Sequence, residues 1–192
     1  MTKTILWCRL DLPGHEACTV GVHEGGWRLA GTAVFAHDEV PCELSYRIHC
    51  DPEWRTTSAR VVGRIGGREV GLNVSTDGAG QWQVNGAASP AVDGCIDLDL
   101  GFSPSTNLLP IRRLSLEPGE SAEVVAAWLP FPSLAFEPLP QVYRREGERM
   151  YRYASRGGAF VRTLEVDDVG FVTHYPGLWK AVSATSSGGT AR

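Results

Sequence analysis

The most constraining feature of the sequence is a succession of short stretches in which apolar and polar residues alternate. Between residues 41 and 50, for example, Leu44, Tyr46 and Ile48 alternate with polar side chains. A period of two predicts a strand with one buried face. Turns rich in glycine, such as Gly66-Gly67, separate the stretches at intervals of about 8–12 residues. We therefore expect an all-β chain, with about 13–15 strands in a rolled or barrel-like antiparallel sheet.

One stretch departs from this pattern and predicts a short helix. Ser103 is a favourable N-cap, and Pro104 suits the first helical position because its missing amide hydrogen costs nothing there. Pro110 is expected to end the helix, since its ring excludes the preceding residue from helical geometry. The sequence thus predicts about two turns of helix between Ser103 and Pro110, with strands on both sides.

The same region carries Asp-Leu-Asp-Leu at 97–100 and Ser-Pro-Ser-Thr-Asn-Leu-Leu-Pro-Ile-Arg-Arg-Leu at 103–114. Further motifs flank it: Trp-Gln-Val-Asn-Gly at 82–86, Gln-Val-Tyr at 141–143, Tyr-Arg-Tyr at 151–153 and Val-Asp-Asp-Val-Gly-Phe-Val-Thr-His-Tyr-Pro-Gly-Leu-Trp at 166–179. With these motifs the chain resembles the putative glycolipid-binding family, from about Trp7 to Trp179. The resemblance implies a spiral β-roll wrapped around one short helix, a homodimer, and a glycolipid or other amphipathic small molecule as ligand.

Length and charge narrow the remaining choices. The 192 residues suffice for one domain over residues 1–182, and the small polar residues 183–192 predict a disordered tail. A net charge of -4, with both signs interspersed, argues against nucleic acid as a partner. The sequence shows neither a secretory signal pattern nor a stretch long enough for a transmembrane helix, so we expect a cytoplasmic protein without integral membrane association.

The five cysteines and five histidines show no spacing typical of a metal or redox site. Cys42 and Cys50 fall on the apolar face of one predicted strand, where buried thiols are expected. The sequence also lacks a P-loop, a dinucleotide fingerprint and a nucleophile elbow. We accordingly expect neither a metal nor a cofactor.

Asp97 and Asp99 are the strongest candidates for a polar site. Two residues apart on one strand, their Cα atoms would lie about 6.5–7 Å apart on one face. Glycoside hydrolases use carboxylate pairs at similar separations. Arg112 and Arg113 follow the predicted helix and could meet these acids. The four charges could form an ion-pair network, contact a ligand or take part in catalysis.

Other candidates are polar residues of the helix and aromatic residues. Thr106 and Asn107 lie mid-helix, where short polar side chains are poor helix formers. They could bond to neighbouring strands or present hydroxyl and amide groups to a polar ligand. Aromatic rings can stack on sugars or pack in the core. The chain offers such rings at Trp82, Tyr143, Tyr151, Tyr153, Tyr175 and Trp179, and the candidates for ligand binding are Trp82, Tyr143, Tyr153 and Tyr175.

Two further positions carry expectations. His15 and Glu16 follow a Pro-Gly pair and predict a solvated turn, with a catalytic pair as the alternative. Gly31 interrupts an apolar stretch and predicts a bend or bulge in a strand.

Taken together, the residues and the resemblance predict a non-enzymatic protein that binds a glycolipid or a lipid-like ligand. One alternative is a hydrolase that uses Asp97 and Asp99 on a glycosidic or ester bond. Another is a dimeric interaction protein with no small ligand.

Overall fold

The computed structural model describes residues 2–77 and 80–187. These residues form one sheet of 15 strands and one α-helix, together with three short 3-10 helices. The all-β prediction is confirmed, and no helix in these ranges is long and apolar enough to cross a bilayer. The strands are β1 Thr2–Arg9, β2 Gly14–His23, β3 Gly26–His37, β4 Val40–Cys50, β5 Thr56–Ile65, β6 Arg68–Thr76, β7 Trp82–Val84, β8 Ala87–Ala88, β9 Asp97–Leu100, β10 Ser121–Leu129, β11 Glu137–Gly147, β12 Met150–Ser155, β13 Phe160–Val166, β14 Val172–Tyr175 and β15 Trp179–Ser187. The helix α1 spans Leu108–Leu114, and the 3-10 helices span Pro90–Val92, Ser105–Asn107 and Arg156–Gly158.

Alternating side chains produce the strands, as β4 illustrates. Leu44, Tyr46 and Ile48 are buried, whereas Glu43 and Arg47 are exposed on the opposite face. A strand with this pattern contributes one row of apolar side chains to the interior and one polar row to the outer surface.

The chain folds outward from a central pair of strands. Strands β1 and β15 pair antiparallel in the middle of the sheet. One side, which we call the N-terminal wing, continues through β2 to β8; the other, the C-terminal wing, runs from β15 to β9. Within the described residues, all neighbouring strands are antiparallel except β9 and β10, which are parallel and so differ from the purely antiparallel expectation.

The sheet is curled so far that residues of its two wings form hydrogen bonds with each other. Thr56 at the start of β5 donates its amide hydrogen to the carbonyl of Ile96, with an N···O distance of 3.2 Å. Its hydroxyl accepts the amide hydrogen of Leu98 in β9 at 3.1 Å. Since β5 and β9 belong to opposite wings, these bonds close the roll around its core.

The short helix lies inside this roll. Leu108, Leu109 and Ile111 are buried, and Leu108 packs against the turn before β14, where a Cβ on Gly170 would lie 2.9 Å from its Cδ1. Ser103 precedes the helical segment, and its hydroxyl accepts the amide hydrogen of Ser105 at 3.1 Å. The predicted position of the helix start is therefore close to the observed one.

The predicted end of the helix at Pro110 is wrong. Pro110 is the third residue of α1, which continues to Leu114. A proline is tolerated in the first turn of a helix because the amide hydrogens there have no partner within the helix. The turns before Pro110 are 3-10, over Ser105–Asn107, and α-helical geometry starts only at Leu108.

The tail prediction for residues 183–192 is wrong in its first half. Strand β15 runs to Ser187 and pairs along the whole of β1, with Thr2 opposite Ser187. Backbone hydrogen bonds to a central strand hold this small, polar segment, although the side chains of residues 183–186 are exposed. Residues 188–192 lie outside the described residues.

Gly31 does not mark a bulge, and it lies where the Tyr46 ring closely approaches the backbone of β3. Strand β3 keeps an unbroken register with β2 and β4 at this position. A Cβ on Gly31 would lie 2.4 Å from the hydroxyl oxygen of Tyr46 and 2.8 Å from the carbonyl oxygen of Ala17. Only a residue without a side chain leaves room for the Tyr46 ring.

We expect Gly31→Ala to destabilise the protein by roughly 1–3 kcal/mol, because the added methyl group overlaps the ring and a backbone oxygen. The matched control is Gly71→Ala in β6, where an added Cβ meets no atom within 4 Å. Urea denaturation of both variants measures the free energy of unfolding. Equal effects of the two substitutions would contradict the packing argument.

Candidate ligand-binding cavity

A cavity of about 230 Å³ opens beside the helical segment, between β9 and the last strands of the C-terminal wing. Its lining combines polar and aromatic side chains. The polar ones are Asp99, Ser103, Asn107, Ser155 and Arg156, and the aromatic ones are Trp128, Tyr153, Phe160, Tyr175 and Trp179. Four of the ten predicted site residues thus line one cavity, namely Asp99, Asn107, Tyr153 and Tyr175.

Asp99 is the anionic group of this cavity. The amide of Gln141 donates to its Oδ2 at 2.6 Å, and the hydroxyl of Thr106 lies 3.5 Å from its Oδ1. Burial raises the pKa of Asp99 to about 6, and the hydrogen bond from Gln141 limits this rise. The carboxyl group is therefore largely ionised at neutral pH without an arginine partner, and it can accept hydrogen bonds from a hydroxylated ligand.

Asp97 and Arg113 form a structural pair instead. Nε and Nη2 of Arg113 donate to the two carboxylate oxygens of Asp97 at 2.9 and 2.5 Å. The Asp97 side chain is 1% exposed and the Arg113 side chain 16%. Burial raises the pKa of Asp97 and Arg113 opposes this shift. Neither residue lines the cavity, so the pair fixes α1 to β9.

The expectation that both arginines meet both acids is wrong. The Arg112 guanidinium lies 5.5 Å from the centre of the Trp54 ring, and Arg112 lines two other surface cavities, neither of which contains Asp97 or Asp99. Successive residues of an α-helix project about 100° apart, so adjacent arginines cannot both face β9.

Thr106 and Asn107 precede α1 in a 3-10 turn, and both form hydrogen bonds to neighbouring strands. This is the first of the two hypotheses for these residues. Thr106 accepts the amide hydrogen of Leu100 in β9 at 3.1 Å. The Asn107 amide donates to the hydroxyl of Tyr143 in β11 at 2.8 Å and also lines the cavity. Asn107 thus combines anchoring with access to a ligand.

The predicted aromatic residues separate into two groups. Tyr153 lies at the centre of a cluster, with its ring 5.1 Å from that of Tyr143 and 6.2 Å from that of Tyr175. Tyr153 and Tyr175 reach the cavity, and Tyr143 lies behind them in the core. Trp82 is remote: its indole donates to the carbonyl of Cys95 at 2.9 Å, and its ring packs near Phe136.

Sequence reasoning missed several residues of the cavity. Trp128 lies opposite Asp99 in the β9–β10 ladder, and the Arg156 guanidinium lies 5.3 Å from its ring centre. Trp179, which was named among the aromatic rings but not among the candidates, supplies a further aromatic wall. Trp128 could have been found from its place in an alternating strand, but the parallel pairing that brings it to Asp99 has no local signal.

The most consequential residue missed is Glu16. It is buried in β2 with 1% exposure, not in a solvated turn, because β2 begins at Gly14 and places Glu16 on the inner face with Cys18. The exposed His15 faces the other way, which separates the two members of the proposed catalytic pair.

Glu16 belongs to a hydrogen-bonded cluster with the helical segment. Its Oε1 accepts from the hydroxyls of Tyr46 at 2.5 Å and Ser103 at 2.6 Å. The Ser105 hydroxyl lies 2.7 Å from the hydroxyl oxygens of both Tyr46 and Ser103. Burial raises the pKa of Glu16 to about 8, so the carboxyl group is mainly protonated at neutral pH. Ser103 links this cluster to the cavity.

A metal centre finds no support in the described part of the chain, where no three histidine, cysteine, aspartate or glutamate side chains are grouped to hold one. The arrangement instead offers a carboxylate, an amide and aromatic rings around a small space. These groups suit the orientation of a hydroxylated ligand by hydrogen bonds and ring contacts.

Comparisons with known proteins agree with this architecture. A family model described as putative glycolipid-binding matches residues 4–181. The crystal structure of a DUF1089 family protein from Pseudomonas aeruginosa is similar, with 34% identity and a TM-score of 0.78, covering 86% of this chain and 90% of that one. A β-barrel-like protein of the DUF1849 domain from Brucella abortus has a TM-score of 0.55 at 10% identity, covers 95% of this chain and 96% of that one, and supports the fold alone. A search of curated proteins finds no match.

We expect Arg113→Gln to lower the free energy of unfolding by about 3–5 kcal/mol, because Asp97 would remain buried without its partner. Arg112→Gln, the adjacent control, removes a contact with the Trp54 ring and should cost about 1 kcal/mol. Chemical denaturation of both variants measures the difference. A larger loss for Arg112→Gln would refute the assignment of Arg113 as the anchoring residue.

We also expect the stability of the protein to fall as the pH rises from 5 to 8. The pKa of Glu16 is about 8 in the folded protein, against 4.5 for an exposed glutamate, so the folded state holds its proton over a range where the unfolded state has lost it. The resulting loss is on the order of 3 kcal/mol across this interval. Glu16→Gln should remove the part of this dependence that comes from Glu16 and leave the smaller part that comes from Asp99, whose pKa is also raised by burial. The amide oxygen of the glutamine can still accept from Tyr46 and Ser103.

Unfolding titrations at several pH values test this expectation. The difference in free energy of unfolding between Glu16→Gln and the wild type should grow steadily towards pH 8. Parallel pH profiles of the two proteins would show that the Glu16 carboxyl group titrates as it does in water.

Proposed function

The chain belongs to the putative glycolipid-binding family, and from this premise we propose that it binds a glycosylated amphipathic molecule with the sugar in the cavity beside α1. The observation that carries the proposal is the combination of the ionised Asp99 and the Asn107 amide with the Tyr153 and Tyr175 rings around one space. A carboxylate accepts hydrogen bonds from sugar hydroxyls, and an amide can both accept and donate them. Aromatic rings cover the apolar face of a sugar.

The size of the cavity limits which part of the ligand it takes. Pockets that enclose drug-sized molecules measure about 300–1,000 Å³, and this one measures about 230 Å³. It therefore suits a single sugar-sized headgroup, while the acyl chains of the ligand remain outside it.

The paired-carboxylate hydrolase is less well supported. Both oxygens of Asp97 accept hydrogen bonds from Arg113, and only Asp99 opens to the cavity. A pair of carboxylates acting as acid and base would both have to reach the substrate. Dimerisation stays an expectation from the family resemblance, and a cytoplasmic location stays a prediction from the sequence. The interaction protein without a small ligand likewise stays an alternative.

We expect the wild-type protein to bind phosphatidylcholine vesicles that contain a monogalactosyl lipid more strongly than vesicles without it, in a flotation assay. Asp99→Asn should weaken this preference about tenfold, since one charge-assisted hydrogen bond is lost. The asparagine oxygen can still accept from Gln141, so the fold should persist. Asp38→Asn, the same change at a side chain 90% exposed, serves as the control.

The pH dependence gives a second readout. The wild-type preference should weaken as the pH falls below 6, where Asp99 becomes protonated, and Asp99→Asn should lack this step. Equal flotation with both kinds of vesicle at every pH would refute glycolipid binding. A preference that Asp99→Asn retains in full would refute the cavity as its site.

A further inference from the structure

A second concavity lies on the outer face of the N-terminal wing, across strands β2 to β5. Its volume is about 500 Å³, and we call it the outer groove. Small side chains such as Ala17 and Ala30 form part of its lining, together with the hydroxyl groups of Thr32 and Ser45, whose oxygens lie 2.9 Å apart. The outer groove shares no lining residue with the inner cavity.

Two arginines face each other in this groove. Arg47 of β4 lies directly opposite Arg60 of β5, and both side chains are exposed and line the groove. Like charges at directly opposed positions destabilise a sheet. Among residues 2–77 and 80–187, neither guanidinium group has a hydrogen bond or an ion pair that would offset this repulsion.

The surroundings reinforce the positive charge. Arg28 of β3 and His49 of β4 are opposed on the same outer face, beside Arg47. Burial lowers the pKa of His49, and the nearby charges of His23, Arg28 and Arg47 lower it further, so the imidazole is neutral at pH 7 and Arg28 alone supplies the added positive charge. The next carboxylate along the outer face of β4 is Glu43, four residues from Arg47. This concentration of positive charge occurs in a chain whose net charge is -4.

We propose that the outer groove binds an oxyanion of the phosphate type between Arg47 and Arg60. Each guanidinium group presents a planar pair of N–H donors that matches two oxygens of such an anion. The bound anion replaces the repulsion between the arginines with two attractive contacts. The hydroxyl groups of Thr32 and Ser45 lie in the same groove and can contact the substituent that carries the anion. This site is separate from the sugar cavity and does not depend on it.

Calorimetric titration with inorganic phosphate, at constant ionic strength maintained with chloride, tests the site directly. A parallel arm measures flotation with phosphatidic acid vesicles against phosphatidylcholine vesicles, which distinguishes a lipid headgroup from a soluble phosphate. The variants are Arg47→Gln and Arg60→Gln. Arg144→Gln is the matched control, because this exposed arginine of β11 also lies opposite another arginine, Arg152, but does not line the groove.

Saturable binding in either arm that both groove variants weaken by about tenfold or more, and Arg144→Gln leaves unchanged, supports the proposal. No binding in either arm overturns it. Binding that Arg47→Gln or Arg60→Gln retains in full, or that Arg144→Gln weakens equally, also overturns it, because the attraction would then reflect overall charge.

Thermal denaturation separates this role from a structural one. Without phosphate, Arg60→Gln should melt about 1–3 °C above the wild type, since one of two opposed like charges is removed. Phosphate should raise the melting temperature of the wild type by more than it raises that of Arg60→Gln. A lower melting temperature for Arg60→Gln, together with an undiminished response to phosphate, would contradict the proposal.

Discussion

The structure depends on four buried polar side chains of the segment 103–107 that connect the two wings of the sheet, namely Ser103, Ser105, Thr106 and Asn107. Ser103 bonds to Glu16 in β2, and Ser105 lies within hydrogen-bond distance of Tyr46 in β4. Thr106 and Asn107 bond in the opposite direction, to β9 and to β11. Buried polar groups are costly unless they are paired, so the segment is held where both wings supply partners at once.

The position of the cavity follows from this constraint. The segment cannot fill the whole interior with apolar side chains, because its polar residues must reach the strands on both sides. A small space remains beside Asp99, between the helical segment and the late aromatic residues. Ser103 and Asn107 serve both purposes, since each anchors the segment and borders the cavity. Anchoring by rigid elements is what a binding site requires to hold its polar groups in place.

Much of the fold could be predicted from the sequence, because its signals are local. Alternation in stretches such as β4 specifies strands, and the Ser103-Pro104 pair marks the helical segment. The end of the helix was mispredicted because the exclusion of proline applies to helix interiors, whereas Pro110 occupies the first α-helical turn. The strand at 183–187 was missed because its order comes from pairing with β1 and not from its own composition.

The cavity could be predicted only in part. Asp99, Asn107 and the tyrosines were identified by residue type, but the pairing of Asp97 with Arg113 alone depends on the rotation of the helix. Glu16 escaped detection because a glutamate near a Pro-Gly turn resembles a solvated residue. Its burial depends on partners 30 and 87 residues away, Tyr46 and Ser103, which no local pattern reveals.

Native-state hydrogen exchange tests most directly whether the segment fastens the two wings. The amide hydrogens of Ser105 and Leu100 donate to the hydroxyls of Ser103 and Thr106. If the segment is integral to the roll, they should exchange only through global unfolding, with the same free energy as amides of the central β1–β15 ladder. Exchange of Ser105 and Leu100 at a much lower free energy than that ladder would show that the segment opens independently, and would contradict the account.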